Sequence, residues 1–194
     1  MDQDAVRLIH KAVADYKRMP WKNGGGTTTE LMVEPDGAAA DYDWRISIAD
    51  VAQSGPFSDF AGYQRSIMLI EGAGFTLEFE DQPTQRLSRS FQPVCFDGAW
   101  RTHCTLIDGP IRDFNLIARQ GSAAMLDVLR LLPGEETVPP ARTIILHLFH
   151  GQASVCARTL AAGDSLRIDD ARDPIAIAAT RPSLLALVRI GAQP

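Results

Sequence analysis

Turn chemistry recurs along this chain about every ten residues, and no other feature restricts its fold as much. Pro35-Asp36-Gly37, Gly55-Pro56, Glu71-Gly72-Ala73-Gly74, Asp97-Gly98, Asp108-Gly109-Pro110, Pro133-Gly134 and Gly163-Asp164 all carry turn residues. The segments between them are short and alternate with the two-residue period of a strand. In Trp44 to Val51, Trp44, Ile46 and Ile48 share one face, and Arg45, Ser47 and Ala49 share the other. Arg65 to Ile70 is apolar after its first two residues, and Phe75, Leu77 and Phe79 alternate with Thr76 and Glu78, so the two read as a hairpin across Glu71–Gly74. Thr27 to Glu34, Phe91 to Phe96, residues 102–107 and Asp113 to Ala118 continue the rhythm. In Thr27 to Glu34, Leu31 and Val33 fall on one face, with Glu30, Met32 and Glu34 on the other. The pattern is that of an all-β barrel or sandwich.

Two stretches are ambiguous. In residues 4–19, Val6, Leu8 and Ile9 suit a strand, whereas Asp15 to Met19 suit a helical turn stopping before Pro20. Residues 122–132 have helical propensity, with Ser122 as a cap and Pro133-Gly134 as a stop, yet they also alternate as a strand. From Pro139 the rhythm restarts. Arg142 to Leu148 parallels Arg65 to Ile70, and each is followed by a glycine, Gly151 and Gly72. This is a weak internal repeat of two similar β units, 1–120 and 121–194.

Composition limits the function classes. The 194 residues are 45% hydrophobic and 22% charged, an ordinary globular balance. A net charge of −5 argues against nucleic acid. No apolar run approaches the roughly 20 residues of a membrane span, and the charged N-terminus does not read as a signal peptide. Three cysteines without paired spacing suit reduced thiols and a cytoplasmic location.

The densest chemistry lies in Pro20-Trp21-Lys22-Asn23-Gly24-Gly25-Gly26-Thr27-Thr28-Thr29-Glu30. Three successive glycines exclude the interior of a helix or strand and permit close backbone approach. Their amides suit an oxygen-rich ligand; the alternative is a plain hairpin turn. No helix follows, which excludes a phosphate loop of the P-loop or Rossmann kind.

The phrases PWKNGGGTTTE, WRISIADVAQSGPFSDFAGYQR and LIDGPIRDFNLIAR closely resemble the HutD/Ves family. They cover the first 120 residues, whereas the second half matches only a general cupin rhythm. The resemblance implies a bicupin, two tandem double-stranded β-helix barrels packed as one unit, with Ala123 to Leu132 as strand. It also implies a binding protein for a small carboxylate metabolite, N-formylglutamate being one proposed for the family, with a regulatory role in histidine utilisation. The alternative is a metal-independent isomerase or hydrolase acting on a related metabolite. Whether the chain works alone or as a homodimer is left open.

Cupin enzymes commonly hold a metal with closely spaced histidines. His10, His103, His147 and His150 include no pair two apart, and His147 and His150 point to opposite strand faces. No metal or other cofactor is expected, and no nucleophile–base pair stands out. Glu30 with Asp113 is the one carboxylate pair open to acid–base work. With the apolar face of Trp44 to Ile48 packed on the second half, Arg45 and Ser47 point into the first barrel. Arg65 opens the next strand, Lys22 sits by the glycine loop, and Asp113 and Asn115 share a face. The expected site is therefore Trp21, Lys22, Asn23, Gly25, Thr27, Glu30, Arg45, Ser47, Arg65, Asp113 and Asn115, whose arginines suit a carboxylate. Internal salt bridges of Arg45 or Arg65 with Glu30 or Asp113 are the alternative.

Overall fold

The computed structural model describes residues 6–191; residues 4 and 5 of the ambiguous N-terminal stretch lie outside them. Among the described residues every regular element is a strand except one 3-10 turn, Val13–Asp15. β1 (Arg7–Lys11) comes first, and the turn leads to β2 (Lys17–Pro20). Asp15 to Met19 is therefore not a helical turn. Lys17–Pro20 pairs antiparallel with Thr27–Glu30, and the ladder supplies the hydrogen bonds that an isolated turn would lack.

Tyr16–Gln120 forms one compact unit. Besides β2 it contains β3 (Gly26–Glu34), β4 (Trp44–Val51), β5 (Gly55–Pro56), β6 (Tyr63–Glu71), β7 (Phe75–Phe79), β8 (Gln85–Leu87), β9 (Val94–Asp97), β10 (Thr102–Leu106) and β11 (Ile111–Arg119). They form a six-stranded sheet, β2-β3-β4-β11-β6-β9, and a four-stranded sheet, β5-β10-β7-β8. Ala49, Ile67 and Leu69 of the first sheet share a core with Phe75, Leu77 and Cys104 of the second. β6 and β7 thus lie in different sheets, not in a hairpin. The turn at Gly72 is a corner, and a Cβ there would meet the Pro110 carbonyl at 2.8 Å. In β3 the expected alternation breaks at a bulge: Glu30 faces Ser47 and Met32 faces Ile46, so Leu31, Met32 and Val33 are all buried.

The second unit runs from Gly121 and takes in β1, which pairs with β17. Its other strands are β12 (Met125–Leu131), β13 (Gly134–Val138), β14 (Ala141–His150), β15 (Ala153–Val155), β16 (Arg158–Leu160), β17 (Ser165–Ala171), β18 (Ile175–Ala179) and β19 (Ser183–Ile190). They form sheets β1-β17-β14-β19-β12 and β13-β18-β15-β16. Met125–Leu131 is strand despite its helical propensity, because β19 pairs along its whole length.

The repeat is complete at the level of topology. β4-β11-β6-β9 recurs as β12-β19-β14-β17, and β5-β10-β7-β8 recurs as β13-β18-β15-β16. Two landmarks fix the register. Gly72 abuts Pro110 and Ile111, as Gly151 abuts Pro182 and Ser183. A bulge follows in each, so that Leu69, Ile67 and Arg65 face Asp113, Asn115 and Ile117 while Leu148, Leu146 and Ile144 face Leu185, Leu187 and Arg189. Where the first unit carries Arg65, Asp113 and Asn115, the second carries Ile144, Leu185 and Leu187, all in its apolar core.

Candidate functional site

Strand parity gathers the polar residues of the first unit. Arg45, Ser47 and Ala49 lie opposite Ile117, Asn115 and Asp113, and Arg65 lies opposite Ile117 on the other side. All point to one face, where a cavity of about 550 Å³ opens. Thr28 of β3 joins them opposite Ala49, and Trp21, Lys22 and Asn23 form part of the wall. The loop between β5 and β6 contributes Phe57, Ser58 and Phe60.

The glycine loop positions this wall, and the Gly24 and Gly25 amides are taken up within it. Asn23 Oδ1 accepts from the Gly25 amide at 3.0 Å, and the Trp21 carbonyl accepts from Gly24 at 3.0 Å. The Trp21 amide donates to the Gly26 carbonyl at 2.9 Å, closing the hairpin. Gly26 is there because of close approach: a Cβ would stand 2.5 Å from the Asp50 carbonyl and 3.0 Å from the Trp21 ring. The indole thus lies against the glycine, and its Nε1 donates to Thr28 Oγ1 at 2.8 Å.

At the cavity wall, Arg65 is only 6% exposed. Its guanidinium lies 4.6 Å from the ring centre of Phe57, 5.2 Å from that of Phe60 and 5.3 Å from that of Phe96, a three-sided aromatic cage. Nη2 donates to Asn115 Oδ1 at 2.8 Å, while Nε is buried without a hydrogen-bond partner. Burial pulls the Arg65 guanidinium down to about 10, with nearby Asp113 acting the other way. Asn115 passes the polarity on, its Nδ2 donating to Asp113 Oδ1. Asp113 is 1% exposed, and burial pushes its carboxyl up to about 7 against the opposing pull of Arg65 and Asn115. Arg45 Nε stands 3.1 Å from Glu30 Oε2, although the geometry leaves that Nε without a hydrogen bond.

Of the expected residues, Trp21, Lys22, Asn23, Arg45, Ser47, Arg65, Asp113 and Asn115 line the cavity. Gly25, Thr27 and Glu30 do not. Gly25 is buried in the turn, Thr27 lies opposite Asp50 one position out of phase with Thr28, and Glu30 is held by Arg45. Glu30 and Asp113 therefore have separate partners instead of forming a pair. The alternative of internal bridges holds for Arg45, whereas Arg65 reaches Asp113 only through Asn115. The aromatic cage was missed. Its signal is two phenylalanines placed three apart in an otherwise polar turn, Ser54 to Phe60.

Cupins often house a metal, but the described lining of this cavity, one carboxylate among Lys22, Arg45 and Arg65, does not fit one. Among the described residues no three His, Cys, Asp or Glu side chains are placed to hold an ion, and no histidine lines the cavity. His10 pairs with Asp164 at 3.0 Å, His147 meets Ser165 Oγ at 2.9 Å, and both belong to the second unit.

Residues 13–186 match the family model HutD. Over 103 residues, 53% of the chain, the sequence is 48% identical to an uncharacterized 21.2 kDa protein in the hutC 3' region of Pseudomonas putida, and the match covers 54% of that protein. Protein Ves of Escherichia fergusonii is 37% identical over 112 residues, 56% of this chain and 58% of that one. The chain thus spans a little over half the length of the curated relatives it matches. A conserved Pseudomonas aeruginosa PAO1 protein of unknown function superposes with a TM-score of 0.86 at 36% identity, covering 96% of this chain and 100% of that one. HutD from Pseudomonas fluorescens, solved in a formate condition, gives a TM-score of 0.78 at 34% identity over the same shares. Bacterial pirin YhhW of Escherichia coli, in complex with nickel(II), shares the fold with a TM-score of 0.72 at 10% identity, covering 96% of this chain and 100% of that one. The fold is the bicupin.

Proposed function

The chain belongs to the HutD family, and from that premise we propose that it binds a small carboxylate metabolite in the cavity of its first barrel. By doing so it regulates histidine utilisation in the cytoplasm. The observation that carries this is Arg65, a buried cation caged by three aromatic rings that lines a 550 Å³ cavity. A buried guanidinium is costly unless an anion balances its charge, and a carboxylate matches that fork. The volume falls within the ordinary range for metabolite sites. Lys22 at the exposed rim adds a second cation for a longer anion such as N-formylglutamate. The name HutD of a similar structure and the hutC position of a similar protein support the pathway.

Calorimetric titration with N-formylglutamate and glutarate tests this reading. Arg65→Ala, confirmed as folded by circular dichroism, is expected to weaken binding about 30-fold, the equivalent of about 2 kcal/mol for a charged bidentate contact. If neither carboxylate binds at millimolar concentration, the reading fails. A second reading, metal-independent acid–base catalysis, is favoured by one observation: the buried carboxyl of Asp113 titrates near neutrality. Turnover of either compound, followed by proton NMR, decides between the two.

A further inference from the structure

The oriented chain Arg65–Asn115–Asp113 has a loose end. Asn115 accepts from Arg65 and donates to Asp113 Oδ1, which fixes its amide. Asp113 lines the cavity, and none of its hydrogen bonds involves Oδ2. No ion pair joins it directly to Arg65, so the cation stabilises the carboxylate from a distance.

Given the carboxylate-binding reading above, on which this inference rests, we propose that the cavity takes up its anion together with one proton, carried by Asp113 as a carboxylic acid that donates from Oδ2 to the bound anion. In the empty cavity, Arg65 is the charge that favours the ionised form of Asp113. A bound anion neutralises Arg65 and adds a negative charge of its own. Both effects disfavour a second buried carboxylate, as in any pair of acids sharing one site. The proton comes from solvent, no bond other than O–H forms, and the anion stays ionised. The site therefore selects anions that offer an acceptor oxygen beside the one held by Arg65, which a carboxylate does.

The surroundings leave Asp113 as the group that titrates. Arg65 of β6 and Cys104 of β10 lie near it, Asp50 acts on it from the other face of β4, and Lys22 stands at the exposed rim of the cavity. Burial pushes the Cys104 thiol up to about 12, so it stays neutral. Glu30 of β3 and Arg45 of β4 are bound to each other, and no histidine lines the cavity. Empty, Asp113 holds its proton below about pH 7. Affinity is then flat below that point and falls about tenfold per pH unit above it, because each binding event must draw a proton from solvent.

Formate and glutarate titrations by NMR between pH 6 and pH 9 test this, together with the carboxyl carbon shift of Asp113 in aspartate-labelled protein. Wild type is expected to lose about 50-fold in affinity between pH 7 and pH 9, and Asp113 to become protonated at pH 8 when the anion is added. Asp113→Asn, a permanent neutral donor, is expected to bind with a flat profile and to exceed wild type at pH 9. Asp113→Leu places there the residue found at Leu185 of the repeat. It provides a second folded background and is expected to bind weakly and also flat. A flat wild-type profile, an ionised Asp113 in the complex at pH 8, or an unchanged slope in Asp113→Asn overturns the proton coupling while leaving carboxylate binding intact. Failure of both anions to bind at every pH overturns both.

Discussion

The repeat supplies its own control for whether the buried charges serve the fold or a ligand. Arg65→Ile alone places the residue of Ile144 at its equivalent position and leaves Asp113 buried without a cation. Breaking a buried charge pair costs about 3–5 kcal/mol. Arg65 and Asp113 are not directly bonded, and at pH 7 the lost cation costs Asp113 only about 0.4 kcal/mol, because its carboxyl, pushed up to about 7, escapes by taking a proton; the cost grows to about 2.7 kcal/mol at pH 9. The cost also shrinks at lower pH, where Asp113 is already neutral. The triple variant Arg65→Ile, Asp113→Leu, Asn115→Leu gives the first barrel the interior of the second. Replacing a buried polar cluster with packed apolar side chains is neutral or stabilising by about 1–4 kcal/mol. The triple variant should therefore be more stable than the single by roughly 0.5–4 kcal/mol, although it carries two further substitutions. Urea unfolding at pH 7, read by tryptophan fluorescence, measures the difference, and titration with glutarate should show no binding to the triple variant. If the triple variant is less stable than Arg65→Ile, or does not fold, the charges are structural and the case for a ligand collapses.

Two further outcomes follow from the same geometry. Gly26→Ala drives a Cβ to 2.5 Å from the Asp50 carbonyl and into the Trp21 ring, and should cost about 2 kcal/mol with a red-shifted Trp21 emission; Gly25→Ala, whose Cβ meets only the Asn23 side chain at 3.3 Å, is the milder control, and equal losses would refute the packing role of Gly26. Burial raises Asp113 in the folded chain, so the unfolded chain releases its proton first, and stability of the empty protein should fall as pH rises from about 4 to about 7, by at most about 1.4 kcal/mol per unit; an equally steep fall in Asp113→Asn would assign it to other groups.

What could be read from the sequence follows from how each residue is placed. Arg45, Ser47, Asp113 and Asn115 sit inside unbroken strands, where the two-residue period fixes the face, and the cavity receives them together. Thr27 falls outside the cavity and Thr28 inside because parity cannot be carried through a glycine hairpin, and Glu30 lies beside a bulge that resets it. Phe57 and Phe60 belong to a loop with no period, so only the folded chain brings them over Arg65. Asp15 to Met19 reads locally as a helical turn stopping before Pro20, yet the partner of β2 on the far side of the glycine turn decides its conformation. β1 reads as part of the first half by position, but its partner β17 lies about 150 residues away, a pairing that no local pattern encodes.

The comparison between the two barrels is therefore stronger than either alone. Sequence order, glycine corners and bulges are shared, so the backbone places the same demands on both interiors. The second meets them with Ile144, Leu185 and Leu187, which shows that an apolar filling satisfies this scaffold. Holding a caged guanidinium with an unpartnered Nε beside a carboxyl near its titration point is, by contrast, a standing cost to the first barrel. Costs of that kind persist where they are recovered on binding. An anion at Arg65 recovers this one twice, by balancing the buried charge of the guanidinium and by favouring the neutral form of Asp113.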